Sequence, residues 1–357
     1  MSKSIPRILV TGGAGFIGSA VCRLLVDAYD TIVINVDKLT YAANLRSLDS
    51  IADSPRYVFE RADICNRQAL EVLFAHYQPT GVIHLAAESH VDRSISDAGA
   101  FLKTNVEGTF HLLETARCFY GGLDSERRSQ FRFVHVSTDE VYGSLGADSL
   151  FREESPYQPS SPYSASKAAS DHLALAWYTT YGLPVVVSNC SNNYGPHQFP
   201  EKLIPLTVLN AFEDKALSVY GTGSNIRDWL YVDDHARGLI ALLDRGRPGE
   251  KYNFGGNSER TNLNVVEMIC DILDRISPVR RSRRSLITFV ADRPGHDQRY
   301  AIDASKARAE LEWRPGHSFE DGLERTIEWY LSNSQWWRPL RQQVYSGERL
   351  GLIAMAS

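Results

Sequence analysis

A chain of 357 residues, 43% of them hydrophobic, can bury one large core or a core with a smaller lobe, and two lobes are expected. The net charge of −5, the pI near 6.1 and the lack of any long single-sign region argue against a general binder of nucleic acid or membrane surfaces. The five cysteines are scattered and form no CxxC pair, there is no leader-like start and no apolar run of membrane-spanning length, so reduced thiols, a cytoplasmic setting and no metal site are expected.

Ile8-Leu9-Val10, then Thr11-Gly12-Gly13-Ala14-Gly15-Phe16-Ile17-Gly18, then an amphipathic run through Val21, Leu24, Leu25 and Val26 read as strand, glycine turn and helix. Glycines let the backbone close on a pyrophosphate, which the free N–H groups and positive end of the helix stabilise. A glycine pattern alone is weak evidence, but here the required strand and helix stand on either side. The next strand, Thr31 to Val36, ends in Asp37, a carboxylate placed to bond an adenosine ribose and to repel a 2′-phosphate. NAD is therefore favoured over NADP, with Lys38 offsetting part of that repulsion.

Tyr57 to Glu60 predicts a third strand whose exit, Asp63-Ile64, brings Asp63 towards an adenine. Gly81 to Leu85 predicts a fourth, running into Ala86 and Ala87, whose small side chains let a flat cofactor approach, and then into Glu88-Ser89-His90-Val91-Asp92-Arg93-Ser94. Ser89 is placed to touch a substrate, while His84 and His90 are spaced unlike zinc ligands and read as packing residues. The helical stretches Phe101 to Cys118 and Tyr163 to Tyr181 are apolar on more than one face. Contact with a second copy in a homodimer is the economical explanation and is expected; cover from the second lobe is the alternative.

Phe133 to Ser137 is an apolar strand that hands over at once to Thr138-Asp139-Glu140. Ligands of open α/β sheets bind outside the carboxyl ends of strands. A solvated acidic turn is the plain alternative, but Tyr163-Ser164-Ala165-Ser166-Lys167 follows, with Tyr163 and Lys167 on one helix face. Strand-helix alternation as far as Ser188 predicts an α/β fold, a doubly wound parallel sheet of the Rossmann type, over residues 1–190. Beyond it, Pro196, Pro200, Pro205, Gly221 and Gly223 break the chain into shorter elements, with helical patterns near Ile204 to Phe212, Asp234 to Leu243, Val265 to Ile276 and Phe319 to Leu331. Residues 191–357 are expected to form mainly a smaller C-terminal substrate-binding lobe, with segments such as Leu230-Tyr231-Val232 able to return to the main sheet. The basic run Arg280 to Arg284 reads as a solvated loop.

The glycine turn and the Tyr-x-x-x-Lys helix resemble the extended short-chain dehydrogenase/reductase superfamily. Leu85 to Ser94, Ser137 to Gly143, Ser191 to Pro196, Arg227 to Asp234 and Asp292-Arg293-Pro294-Gly295-His296 resemble its dTDP-glucose 4,6-dehydratase family, from about Arg7 to the C-terminus. The resemblance implies an NAD-dependent hydro-lyase that converts a nucleoside diphosphate sugar, dTDP-glucose, to its 4-keto-6-deoxy product. Tyr163, its phenolate favoured by Lys167, would take the proton of the C4 hydroxyl. Oxidation at C4 acidifies C5, so Glu140 would remove the C5 proton and Asp139, protonated, would donate to the departing C6 hydroxyl, as adjacent carboxyl groups sharing one proton can. Thr138 would bond the C4 oxygen.

The cofactor set so implied is Gly12, Gly15, Phe16, Ile17, Gly18, Asp37, Lys38, Leu39, Thr40, Asp63, Ile64, Leu85, Ala86, Ala87, Thr104, Tyr163, Lys167 and Asn193. The substrate set is Ser89, Thr138, Asn192, Lys202, Leu203, Val219, Tyr220, Arg227, Asn262, Arg293, His296 and Tyr300, with Arg227 and Arg293 on the diphosphate because a guanidinium fork matches phosphate oxygens. Ser218 departs from the proline that the family commonly carries beside the nucleobase. A nucleotide-sugar 4-epimerase would need the glycines, Tyr163 and Lys167 but not the acidic pair, and a non-catalytic NAD-binding regulator on the same fold would be free to lose Tyr163 or Lys167, both of which are present.

Overall fold

The computed structural model describes residues 5–348 apart from residue 147. Six apolar strands come first: β1 (Arg7–Thr11), β2 (Ile32–Asp37), β3 (Tyr57–Arg61), β4 (Gly81–His84), β5 (Arg132–Thr138) and β6 (Val185–Cys190). Six more follow: β7 (Asn192–Tyr194), β8 (Leu217–Tyr220), β9 (Ile226–Tyr231), β10 (Lys251–Phe254), β11 (Glu259–Thr261) and β12 (Ile287–Val290). The main sheet is seven-stranded and parallel throughout, in the order β10-β6-β5-β4-β1-β2-β3. Strand order reverses between β1 and β4, which opens a crevice at their carboxyl ends.

Alternation along the strands fills both faces of this sheet. Val10, Ile83, Val134 and Val186 face the helices Phe16–Ala28 and Val232–Arg245 and pack with Val21, Leu25, Leu239 and Leu242. Their neighbours Leu9, Val82, Phe133 and Val185 face the other way and pack with Leu70, Leu112 and Ala174 of the helices Arg67–Tyr77, Thr109–Gly121 and Pro162–Tyr181. The second lobe has its own core, in which Ile204, Val208, Leu217, Val265, Ile269, Phe319 and Ile327 meet. There β9 lies between β7 and β11, and β8 pairs with β12.

Two local expectations are corrected. Leu230 and Tyr231 pair with Asn193 and Tyr194 in the small sheet; the segment that returns to the main sheet is β10, alongside β6. Arg283 is not solvated: it is buried, its guanidinium held by Asp274 at 2.9 Å and by the Ala211 carbonyl at 3.1 Å. On the doubly apolar helices, Ala168 is covered by Tyr300 and Ile302, while Phe110, Tyr178 and Tyr181 stay exposed among the described residues, together with the neighbouring Leu102. Among the described residues no helix is long and apolar enough to cross a membrane.

Candidate active site

The crevice holds a cavity of about 280 Å³ that begins at the glycine turn. Gly12 has φ +71°, and a Cβ there would sit 2.7 Å from the Ala86 nitrogen. A Cβ on Gly18 would sit 2.2 Å from the Gly12 carbonyl oxygen. Only glycine permits this turn, and the close packing leaves backbone alone at the mouth of the first helix. Asp37 closes the far side, accepting from the Ala14 N–H at 3.0 Å and the Leu39 N–H at 2.8 Å. Lys38 reaches Thr104 at 3.2 Å and lies 3.9 Å from both Asp63 and Glu88, so its charge is already matched by carboxylates. A dinucleotide fits these features, and one without a 2′-phosphate fits them better.

From there the wall runs past Gly15, Phe16, Ile17, Thr40, Ile64, Leu85, Ala86, Ala87 and Thr104 to the proton-transfer groups. Thr104 and Asn105 both turn inward from a π-helical turn, Leu102–Gly108. The Asn105 amide bonds the backbone of Glu88 on both sides and donates to Ser166 at 2.9 Å, which locks the β4 exit to the helix bearing Tyr163. Leu39 and Asp63 stand behind the wall; Asp63 caps its own turn by accepting from the Cys65 N–H.

Thr138, Asp139, Glu140, Tyr163 and Lys167 share one wall of the cavity. The strand β5 ends at Thr138, whose hydroxyl accepts from the Glu140 N–H at 3.3 Å and starts a tight 3-10 turn, Asp139–Tyr142. That turn points two successive carboxyl groups at one space. Asp139 is fully buried, and burial together with the neighbouring Glu140 raises its pKa well above the ordinary carboxyl value. One of its oxygens is 3.4 Å from the Thr138 hydroxyl and the other, Oδ2, has no partner among the described residues. A carboxyl so placed favours its neutral form, with one oxygen buried and unpaired. Burial also raises Glu140, but Arg293, Lys202 and Arg227 oppose the shift, so more cations favour the charged form of Glu140 than that of Asp139. Lys167 donates to the Val136 carbonyl at 2.8 Å one turn below Tyr163, and burial raises the Tyr163 phenol and lowers the Lys167 ammonium.

Ser89, Asn192, Asn193 and Lys202 complete the wall. Lys202 donates to the Ser89 carbonyl at 3.1 Å. Beyond Glu140, Arg227 lies over the Tyr300 ring at 4.3 Å and Arg293 bonds Asp92 at 2.6 Å. His296 bonds Asp292 at 2.7 Å, and Tyr220 stands 3.4 Å from Asp92. Past the acid pair, then, stand two guanidinium groups, one of them paired with a carboxylate, together with the hydroxyls of Tyr220 and Tyr300. Leu203 and Val219 instead pack into the core of the second lobe, and Asn262 starts the helix Asn262–Ile276.

One cluster escaped the sequence. Glu201 is buried, accepts from the Tyr41 hydroxyl at 3.1 Å and from Arg93 at 2.9 Å, and Arg93 lies 3.9 Å over the Tyr41 ring. Phe199 meets Tyr41 edge-on, with ring centroids 5.5 Å apart. These residues bridge the loop after β2 and the loop before the helix Leu203–Phe212, across the cavity. Their only sequence signal was the charge of Arg93 within the Leu85 to Ser94 stretch.

The family model described as GDP-mannose 4,6 dehydratase matches residues 9–326. The chain is 63% identical to a probable dTDP-glucose 4,6-dehydratase of Sinorhizobium fredii, over 98% of this chain and 100% of that one. It is 57% identical to dTDP-glucose 4,6-dehydratase 1 of Escherichia coli, over 95% and 96% of the two chains. Its structure is similar to that of DesIV, a dTDP-glucose 4,6-dehydratase from Streptomyces venezuelae solved with NAD and TYD bound, with a TM-score of 0.86 and 46% identity over 94% of this chain and 99% of that one. With these agreements added to the glycine turn, the Thr138-Asp139-Glu140 wall and the Tyr163–Lys167 helix, the chain belongs to the GDP-mannose 4,6 dehydratase family of the extended short-chain dehydrogenase/reductase superfamily, and within it to the dTDP-glucose 4,6-dehydratases.

Proposed function

We propose that the protein is an NAD-dependent dTDP-glucose 4,6-dehydratase, a hydro-lyase that forms the 4-keto-6-deoxy sugar nucleotide. The observation that carries this reading is the acid pair Asp139-Glu140 on the same wall as Tyr163 and Lys167, in a cavity continuous with the glycine turn. NAD, when bound, supplies the acceptor and later the donor of one hydride. Gly12 to Gly18 would hold its pyrophosphate, Asp37 its adenosine ribose, and Lys167 its nicotinamide ribose.

Tyr163 takes the proton of the sugar C4 hydroxyl, with Thr138 bonding the same oxygen. Glu140 removes the C5 proton that the new ketone has acidified. Asp139 donates its proton to the C6 hydroxyl, which leaves as water. Arg227 and Arg293 neutralise the diphosphate, while Lys202, Asn192 and Ser89 orient the sugar. Residues 191–357 act mainly as the substrate lobe, working in a cytoplasmic enzyme. Two copies pair through the helices Thr109–Gly121 and Pro162–Tyr181, a reading supported by exposed Phe110, Tyr178 and Tyr181.

The test is incubation with dTDP-glucose carrying deuterium at C4. Transfer of the label to C6 of the same molecule is expected. Label kept at C4 of an inverted sugar would make the protein an epimerase, and no turnover would make it a regulator.

A further inference from the structure

Below the proton-transfer wall lies a buried anion that the proposed chemistry leaves unused. Asp171 is fully buried, one helical turn beyond Lys167 on the helix Pro162–Tyr181. Four groups donate to its carboxylate: His135 Nε2 at 3.0 Å, Ser137 Oγ at 2.8 Å, the Tyr157 hydroxyl at 2.9 Å and Asn189 Nδ2 at 3.4 Å. These hydrogen bonds hold it ionised, below the ordinary carboxylate range, although burial alone would raise it. His135 is held neutral by burial and by Lys167. Its Nε2 carries the proton, because an ionised carboxylate can only accept. All four donors are therefore uncharged, so they fix the anion in place without cancelling its field.

We propose that Asp171 is the counter-ion of Lys167, a positioning residue that keeps the ammonium charged in its buried site so that Tyr163 can take a proton. The inference rests on the dehydratase reading. Lys167 has one neutral acceptor, the Val136 carbonyl, and a buried ammonium without an anion nearby loses its proton. Of the charges that act on Lys167, Asp171 is the strongest that favours the cation.

Other groups face the pair. His84 and His135, from β4 and β5, are both pushed down by burial and stay neutral. His84 is fixed between the Thr11 hydroxyl at 2.7 Å and the Thr109 hydroxyl at 3.0 Å. Cys190 from β6, Tyr142 and Tyr157 are pushed up by burial and stay protonated. Tyr163 is the group served. That leaves Lys251 from β10, 4.7 Å over the Tyr157 ring, as the other cation that feels Asp171.

The test follows NADH absorbance in a single turnover of the holoenzyme with dTDP-glucose between about pH 6 and pH 10, the range below the ordinary lysine value into which burial moves Lys167. The wild-type rate falls on the alkaline side as Lys167 loses its proton. Asp171→Asn moves that limb down by about one pH unit or more, the usual scale for a nearby opposite charge, and Asp171→Glu keeps the limb in place even where the rate drops. Asp171→Ser replaces the amide variant if the latter is not recovered folded. Lys251→Met leaves the limb unmoved. A neutral Asp171 variant that is slower at every pH with an unmoved limb overturns the proposal, as does an equal shift in Lys251→Met. If the wild type forms no NADH, the dehydratase reading itself has failed.

Discussion

The two neighbouring carboxyl groups have different surroundings, which suits the opposite work proposed for them. Asp139 feels one cation, Arg227, against the carboxylates of Glu140 and Asp228, whereas Arg293, Lys202 and Arg227 all favour the charged form of Glu140. Glu140→Gln is expected to slow product formation by a factor on the order of 10² or more, while NADH still forms from the C4 oxidation; rapid-mixing absorbance separates the two steps, and an unchanged product rate removes Glu140 from its role. For Asp139 the prediction concerns stability. Its folded pKa is raised above the unfolded value of 3.8, so its favourable contribution is complete below that value and is lost as pH rises through the folded pKa. Asp139→Asn should therefore be the more stable protein at pH 8, by about 1.4 kcal/mol for every pH unit between the unfolded and folded titration points, and the advantage should vanish near pH 4. Denaturant melts of the ligand-free protein at the two pH values check this. The residue types at the site were legible in the sequence, since Thr138, Asp139, Glu140, Tyr163 and Lys167 are close along the chain and converge on one wall. Glu201 was not: its partners Tyr41 and Arg93 lie 160 and 108 residues away.

At the level of elements, legibility followed length and composition. Strands β1, β2, β4, β5 and β6 are apolar runs buried on both faces, and such runs announce themselves; β3, at the sheet edge, is half-buried but keeps the aromatic and β-branched run Tyr57-Val58-Phe59. The four residues of β10, Lys-Tyr-Asn-Phe, resemble any loop, and only the open edge of β6 makes them a strand. The π-helical turn was hidden because Leu102 and Val106 keep an ordinary helical spacing, while the inward turn of Thr104 and Asn105 depends on one extra residue in the turn. The glycine turn gives the element its prediction. In Gly18→Ala the new Cβ meets a backbone oxygen that cannot swing away, so a loss of about 1–3 kcal/mol is expected, with weakened NAD binding. Urea midpoints with and without NAD measure both, and wild-type values in the alanine variant would contradict the packing account.

Across the whole molecule, the two lobes are stitched together by contacts far apart in sequence. Trp336 donates to the Ser47 hydroxyl at 3.1 Å and Arg46 to the Gln335 carbonyl at 2.7 Å, which ties the last helix to the loop after β2. Tyr330 bonds the Gln198 carbonyl beside the cavity. The bridge of Tyr41, Glu201 and Arg93 belongs to this set, and its Glu201 lies on the cavity wall beside the space a dinucleotide would fill. Departure of the cofactor past that wall would part the buried Glu201 carboxylate from the partly exposed Arg93. A catalyst whose coenzyme is restored at the end of every cycle has no use for fast exchange, so the bridge suits a permanent occupant. Glu201→Gln should hasten release of bound NAD by about tenfold or more, the equivalent of some 1.4 kcal/mol from a hydrogen bond to a charged group, as read by displacement with a fluorescent analogue. An unaltered residence time would reduce the bridge to a fastening between lobes.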